Sequence, residues 1–224
     1  MKAPLFYSKI LLFGEYGIIS DSKGLSIPYN FFKGGFRLGN LSNDEVKKSN
    51  KNLRLFKDFI SKINKNIVVF DLKKMNDDLT KGMYFDSTIP QGYGVGSSGA
   101  LVAAIYDRYA QNKITILENL TKDKTLVLKN IFSEMESFFH GKSSGLDPLN
   151  SYLSLPILIH SKNKVETIGI PSQSFNGKGA VFLLDSGESS ETAPMIEIFF
   201  ESMKNKEYSK IFKEDFILAT DNCV

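Results

Sequence analysis

The sequence predicts an α+β fold, and three observations carry that reading. Apolar residues recur at helical spacing over two long stretches, 42–64 and 123–139. Short apolar runs of strand length fall around them without a regular strand-helix alternation. A glycine-rich stretch over 89–100, IPQGYGVGSSGA, opens directly onto a third helical pattern. The chain has 224 residues, of which 42% are hydrophobic and 24% charged. That is enough for one large domain or one and a half.

Taken in order, 9–13 (KILLF) is an apolar strand stopped by Gly14, with Glu15 beyond it. The first long helix spans 42–64: Ser42 or Asn43 caps it, Asp44 and Glu45 suit its first turn, and Leu53, Phe56, Phe59, Ile60 and Ile63 share one face. Strands are expected over 65–72 and 83–89, the second ending at Pro90. A helix then runs from Ser97 or Ser98 to about Asn112 through Leu101, Val102, Ile105 and Tyr109. The second long helix covers 123–139, a turn covers 141–145, and a short helix starts at Leu146. Strands at 156–160, 164–170 and 179–185 precede helices at about 190–203 and 206–219. The polar stretch 171–177 (PSQSFNG) marks a domain boundary, giving domains 1–172 and 173–224.

Composition removes several function classes. The net charge of +3 comes from dispersed lysines without a block of five, so no nucleic-acid partner is expected. One cysteine, Cys223, excludes an internal disulfide framework and a cysteine-based zinc site. Only His140 and His160 are present, so a histidine metal site is not expected. No apolar run approaches the 18 or so residues of a membrane span, and the amino terminus lacks the features of a secretory signal. A soluble, cytoplasmic protein with no membrane partner is expected.

The glycine loop raises a chemical question. Glycines at a helix amino terminus let a polyanion approach unpaired backbone N–H groups without meeting a Cβ. Gly94, Gly96 and Gly99 satisfy G-x-G-x-x-G, but Pro90 separates strand from loop and Glu118 falls in no recognisable strand, so the dinucleotide reading loses required parts. The Walker reading needs Gly-Lys-Ser/Thr where this chain has Gly-Ser-Ser. A turn built by glycines alone is the blander alternative.

Pro90, Gly92, Gly94, Gly96, Ser97 and Ser98, followed by Gly99 and Ala100, resemble the phosphate loop Pro-x-Gly-x-Gly-x-Gly-Ser-Ser of the GHMP kinase superfamily. SKILLFGEYGII over 8–19 resembles the amino-terminal motif of mevalonate kinases through Lys9, Gly14 and Glu15, with Tyr16 in place of the usual histidine and Ser8 a departure before the lysine. ESFFHGKSSGLD over 136–147 resembles their Glu-x-x-x-His-Gly-x-x-Ser-Gly-x-Asp pattern, with Glu136, His140, Gly141, Ser144, Gly145 and Asp147 in register. DSGESSETAPMI over 185–196 resembles a later family segment in which a threonine, here Thr192, opens a helix near the substrate.

The resemblance implies a GHMP-kinase-like two-domain fold: an amino-terminal ATP-binding domain of the ribosomal protein S5 domain 2-like type, with a mixed sheet backed by helices, then a partial ferredoxin-like domain. It implies an ATP- and Mg²⁺-dependent kinase acting on an alcohol, with mevalonate as the favoured substrate and isoprenoid synthesis as the setting. The loop, including Val95 and Gly99, would hold the phosphates; Ser98 and Glu136 would ligate magnesium; Asp147 and Lys9 would be catalytic. Glu15, Tyr16, His140, Ser144 and Thr192 would line the substrate site, and Lys142 would add positive charge. Blander roles stand beside these. Lys9 could be a surface lysine, Glu136 a solvated neighbour of Glu134, Asp147 a helix cap before Pro148, and His140 a packing residue.

The family's second glycine-rich loop, Thr-Gly-Ala-Gly-Gly-Gly, is absent before Val224. The second domain is therefore expected to be incomplete and the chain a fragment. Phosphomevalonate kinase or another GHMP kinase, a related decarboxylase, and a non-catalytic nucleotide- or metabolite-binding homologue are the alternative readings, and a homodimer is left open.

Overall fold

The computed structural model describes residues 4–115, 120–169, 183–185, 187–189 and 192–224. The expected boundary at 171–177, Glu118 and most of the strand expected over 179–185 lie outside the described residues; 183–185 form no regular element. Helices and an antiparallel sheet make an α+β fold. Among the described residues no helix is long and apolar enough to cross a membrane.

The sheet is organised on one strand that the sequence pattern hides. β1 (Phe6–Phe13) runs antiparallel to β2 (Gly24–Leu38), a strand of 15 residues. Pro28 and glycines 24, 34 and 35 interrupt β2's alternation, which is why no strand is legible there. The glycines have local reasons. A Cβ on Gly34 would stand 2.4 Å from Cζ of Phe85, whose ring crosses that position and meets Phe36 edge-on at 5.6 Å. β3 (Met83–Ser87) pairs with the far half of β2, and β4 (Ile157–Ser161) with its start. β5 (Lys164–Thr167) forms a hairpin with β4. Every described pairing is antiparallel, where the resemblance implied a mixed sheet.

Helices cover the sheet. α1 (Asp44–Ile60) is capped by Asn43, whose Oδ1 accepts from the N–H groups of Glu45 and Val46, and it buries Leu53, Phe56 and Ile60 as its periodicity requires. The strand expected over 65–72 is a single bridge, Phe70 to Ala110. From there Asp71 caps α2 (Leu72–Thr80) by accepting from the Lys74 N–H. The apolar run 67–70 reads as a strand, but Ile67 and Val69 are exposed, so local pattern overstated its burial. α3 (Ser97–Tyr109) is the central helix, buried on almost every side, with alanines 100, 103 and 104 allowing close approach. Tyr106 on α3 packs edge-on against Phe132 at 5.0 Å and Tyr152 at 5.2 Å. Each such fully buried side chain contributes about 1.5–3 kcal/mol.

Phe132 belongs to α4 (Lys122–His140) and Tyr152 to α5 (Leu146–Leu153). The turn between them is pressed onto α4: a Cβ on Gly145 would lie 2.1 Å from the Lys129 carbonyl oxygen, and its φ of +72° is left-handed. Glycine is required there. The helix expected over 206–219 is three pieces: α7 (Lys206–Ile211), a π-turn (Phe212–Ile217) and α8 (Leu218–Cys223), preceded by α6 (Thr192–Ser202). This arrangement brings the start of α3, the end of α4, the start of α5 and the middle of β1 to one place.

Candidate active site

The loop from Pro90 to Gly96 docks on β1 through a backbone bond, Lys9 N–H to the Val95 carbonyl at 3.0 Å. Gly92, Gly94 and Gly96 all have positive φ, at 79°, 68° and 82°. Alternating glycines are thus a conformational requirement, because an L side chain is strained at each. Gly96 caps α3 without any side-chain hydrogen bond, so the first N–H groups of that helix are left to an outside partner. Their dipole end favours an anion. A Cβ on Gly94 would meet nothing within 4 Å, so the space above the loop is open.

Lys9 lies under this loop. Its stem packs against Gly96, where a Cβ would be 3.0 Å from Lys9 Cγ and 3.8 Å from Asp147 Oδ2. Its ammonium pairs with Asp147 Oδ1 at 3.0 Å, with side-chain exposures of 10% and 35%. Lys9 is therefore no surface lysine. Burial alone would lower its pKa, but the charge and hydrogen bond of Asp147, with Glu15 and Glu136 behind, raise it overall. The ammonium stays charged. Asp147 sits in the first turn of α5, whose cap is Gly145 and which has no side-chain cap. The capping role open to an Asp-Pro pair is thus not the one taken.

Glu136 is 3% exposed on the inner face of α4, unlike a solvated helix carboxylate. Its Oε1 accepts from Ser98 Oγ at 3.1 Å, and its Oε2 from Ser143 Oγ. His140 Nε2 stands 3.2 Å from Ser98 Oγ. With the proton on Nε2, the chain His140 to Ser98 to Glu136 is satisfied throughout. Burial first, then the charge of Asp147, push the Glu136 carboxyl up to about 7, against the hydrogen bonds from Ser143 and Ser98 and the charge of Lys9. A buried carboxylate short of positive charge beside a hydroxyl is a hard-oxygen pair that fits Mg²⁺, which needs few protein ligands when phosphate oxygens and water complete its shell. Among the described residues no group of three or more His, Cys, Asp or Glu could hold a metal by itself.

The remaining predicted residues divide. Glu15 is exposed in the turn after β1, near enough to act on Lys9. Tyr16 has a φ of 58° and stacks on Phe199 at 4.9 Å. Ser144 Oγ accepts from the Leu146 N–H at 3.3 Å, a turn role, whereas its neighbour Ser143 holds Glu136. Ser143 was not legible as a site residue, although the doubled serine before Gly145 was the available signal. Thr192 opens α6, and its side chain lies outside the described residues. A separate groove of about 470 Å³ follows α4 towards its start, lined by Asn66, Ile67, Val127, Asn130, Ile131 and Ser133, with Glu134. Its lining includes none of Lys9, Glu136 and Asp147.

Two glycines separate the roles of conformation and space. Gly99→Ala would place a Cβ 2.7 Å from the Asp147 carbonyl carbon and 2.8 Å from the Pro148 nitrogen, forcing α5 away from α3. A loss of about 2–3 kcal/mol is expected. Gly94→Ala, with open space around it, should cost only the left-handed backbone, about 1–2 kcal/mol. Thermal unfolding of both variants checks the order.

Residues 56–154, which include the glycine loop, Glu136 and Asp147, match the family model described as GHMP kinases N terminal domain. That match spans 99 of the chain's 224 residues. No curated protein sequence matches it. The fold resembles solved mevalonate kinases. The Leishmania structure, "L. major mevalonate kinase in complex with R-mevalonate", gives a TM-score of 0.57 at 15% identity, covering 99% of this chain and 68% of that one. The Methanococcus jannaschii mevalonate kinase gives 0.52 at 19% identity, covering 99% and 71%. At these identities the likeness is one of fold. GHMP kinases are small-molecule kinases that use ATP, and the match over 56–154 is to their N-terminal domain.

Proposed function

We propose that the protein transfers the γ-phosphoryl group of ATP to the hydroxyl of a small hydroxy acid, with mevalonate the favoured substrate and 5-phosphomevalonate the product. The observation that carries this reading is the Lys9–Asp147 ion pair at 3.0 Å, set against Gly96 at the uncapped start of α3. The setting proposed is cytoplasmic isoprenoid synthesis, and domains 1–172 and 173–224 would be the ATP-binding unit and the start of the second unit.

Backbone N–H groups over 94–98 would hold the β- and γ-phosphates, and the flexible glycines let those oxygens approach. Ser98 and Glu136 would hold Mg²⁺, which supplies charge neutralisation on the phosphate oxygens when bound. Asp147 would accept the hydroxyl proton or a hydrogen bond from it, as its 35% exposure leaves it reachable from the cleft. As the new O–P bond forms, the bond to the ADP oxygen breaks, and Lys9 offsets charge on the group in flight. Lys9 also fixes Asp147, so the two act as one unit. Glu15, Tyr16, His140, Ser144 and Thr192 would surround the acceptor. The groove along α4 suits the nucleoside: Ile67, Val127 and Ile131 offer apolar faces, and Asn66 and Asn130 offer carboxamides to the base edge.

Two measurements follow. Ile67→Glu should raise KM for ATP about tenfold by placing charge in that groove, leaving KM for the alcohol unchanged; the reverse pattern would put the nucleoside elsewhere. Coupled ADP release with ATP and Mg²⁺, comparing mevalonate, 5-phosphomevalonate and galactose, tests the substrate. Turnover with mevalonate alone is expected. Turnover with 5-phosphomevalonate alone would move the protein to the next kinase, and nucleotide binding without turnover would leave a binding module.

A further inference from the structure

The turn between β1 and β2 is built in a way that its own sequence does not sustain. Tyr16 adopts a φ of 58°, a left-handed conformation that is uncommon for a bulky side chain and persists where surroundings impose it. The surroundings are the C-terminal helices. The Tyr16 ring stacks on Phe199 of α6, with centroids 4.9 Å apart and planes 25° apart. Phe199 is 5% exposed and meets Phe212 at 5.1 Å; Phe212 in turn stacks on Phe216 at 5.1 Å. Phe216 closes over the next residue of the turn, since a Cβ on Gly17 would be 3.5 Å from its ring. A polar clamp holds the far end: the Lys23 N–H donates to Asp221 Oδ1 at 2.9 Å, and Lys23 Nζ donates to the Asp221 carbonyl at 3.0 Å. The turn is therefore gripped at both ends by α6 and α8.

We propose that Phe199 is a positioning residue for Tyr16, and that through this stack the C-terminal helices set the acceptor side of the site. Sequence supports the assignment from a second direction. α6, which carries Phe199, begins at Thr192, so the stack ties together the two elements that carry Tyr16 and Thr192, both assigned to the acceptor by the kinase reading. The turn's other acceptor residue, Glu15, immediately precedes Tyr16 and acts on Lys9, so a displaced turn reaches the reacting pair as well. The inference rests on the kinase reading insofar as that reading assigns Tyr16 to the acceptor alcohol.

The test uses the full chain and three variants. Phe199→Ala removes the stack, Phe199→Tyr keeps the ring, and Phe212→Ala opens the same aromatic cluster without touching Tyr16. Phe199→Ala should raise KM for the alcohol about tenfold with KM for ATP unchanged, and Phe199→Tyr should restore it to within about twofold. Phe212→Ala should lower Tm at least as much while leaving the alcohol KM within about twofold. Equal KM increases in Phe199→Ala and Phe212→Ala, or no increase in Phe199→Ala, overturn the proposal. If the wild-type chain turns over no alcohol, the kinase reading fails, and amide hydrogen exchange decides the stack separately. Faster exchange over 15–20 in Phe199→Ala than in Phe212→Ala supports it, and equal exchange overturns it.

Discussion

Asp147→Asn should reduce kcat by about 10³-fold while leaving KM for ATP within about twofold, because general-base or hydrogen-bond assistance by a positioned carboxylate is worth about 10²–10⁴. Asparagine keeps the size of the side chain and a hydrogen-bond acceptor for Lys9, so the loss is one of charge and basicity rather than shape. The fold should survive. Breaking a fully buried pair costs about 3–5 kcal/mol, but Asp147 is 35% exposed, and solvent screens much of that. A fall in Tm of only a few degrees, with nucleotide binding retained, distinguishes this from collapse of the site. Steady-state kinetics with a thermal melt of the same sample checks both parts.

Glu136→Gln should do the opposite to stability while also removing activity. The folded carboxyl titrates at about 7 against an ordinary value of 4.5. Below the lower value the group is protonated in both states and costs nothing. Between the two, the unfolded chain releases its proton first, so stability falls as pH rises, and the loss is complete above about 7. At about 1.4 kcal/mol per pH unit of difference, the ionised form of Glu136 costs the fold about 3 kcal/mol. Glutamine keeps the shape, and the hydroxyls of Ser98 and Ser143 can turn to meet it. The variant should therefore melt about 5 °C or more above the parent at pH 8 without Mg²⁺, with a smaller gain at pH 5. Loss of an outer-shell partner already costs a metal site about 10–100-fold, and loss of Glu136, the proposed direct ligand, should exceed that. A site that destabilises the fold until a cation arrives is the expected signature of a binding residue.

Much of this site was readable because its chemistry is local. The glycine loop, Glu136 with His140, and Asp147 each fall in a short motif, and α3 and α4 are long enough for their periodicity to be unambiguous. Distance in sequence hid the rest. β2 carries Pro28 and three glycines that only its partners explain, so nothing within its own 15 residues reads as a strand. The run 67–70 has strand composition, yet its neighbours give it one bridge and an exposed face. Ser143 and Ser144 are equivalent by type, and only the turn geometry sends one to Glu136 and the other to the Leu146 N–H. Phe199 is one aromatic among many until α6 brings it onto Tyr16. Helix caps and phosphate loops are written over a few residues, whereas sheet spines and stacks across the chain are fixed by tertiary packing.

The central claim is that phosphoryl transfer takes place between the start of α3 and the Lys9–Asp147 pair. A crystal structure with Mg²⁺, a non-hydrolysable ATP analogue and mevalonate tests it most directly. The expected result is a triphosphate seated on the backbone N–H groups over 94–98, with the acceptor hydroxyl within hydrogen-bond reach of Asp147 and between it and the γ-phosphate. A triphosphate bound away from the glycine loop, or an acceptor that leaves Asp147 paired with Lys9 alone, would contradict it.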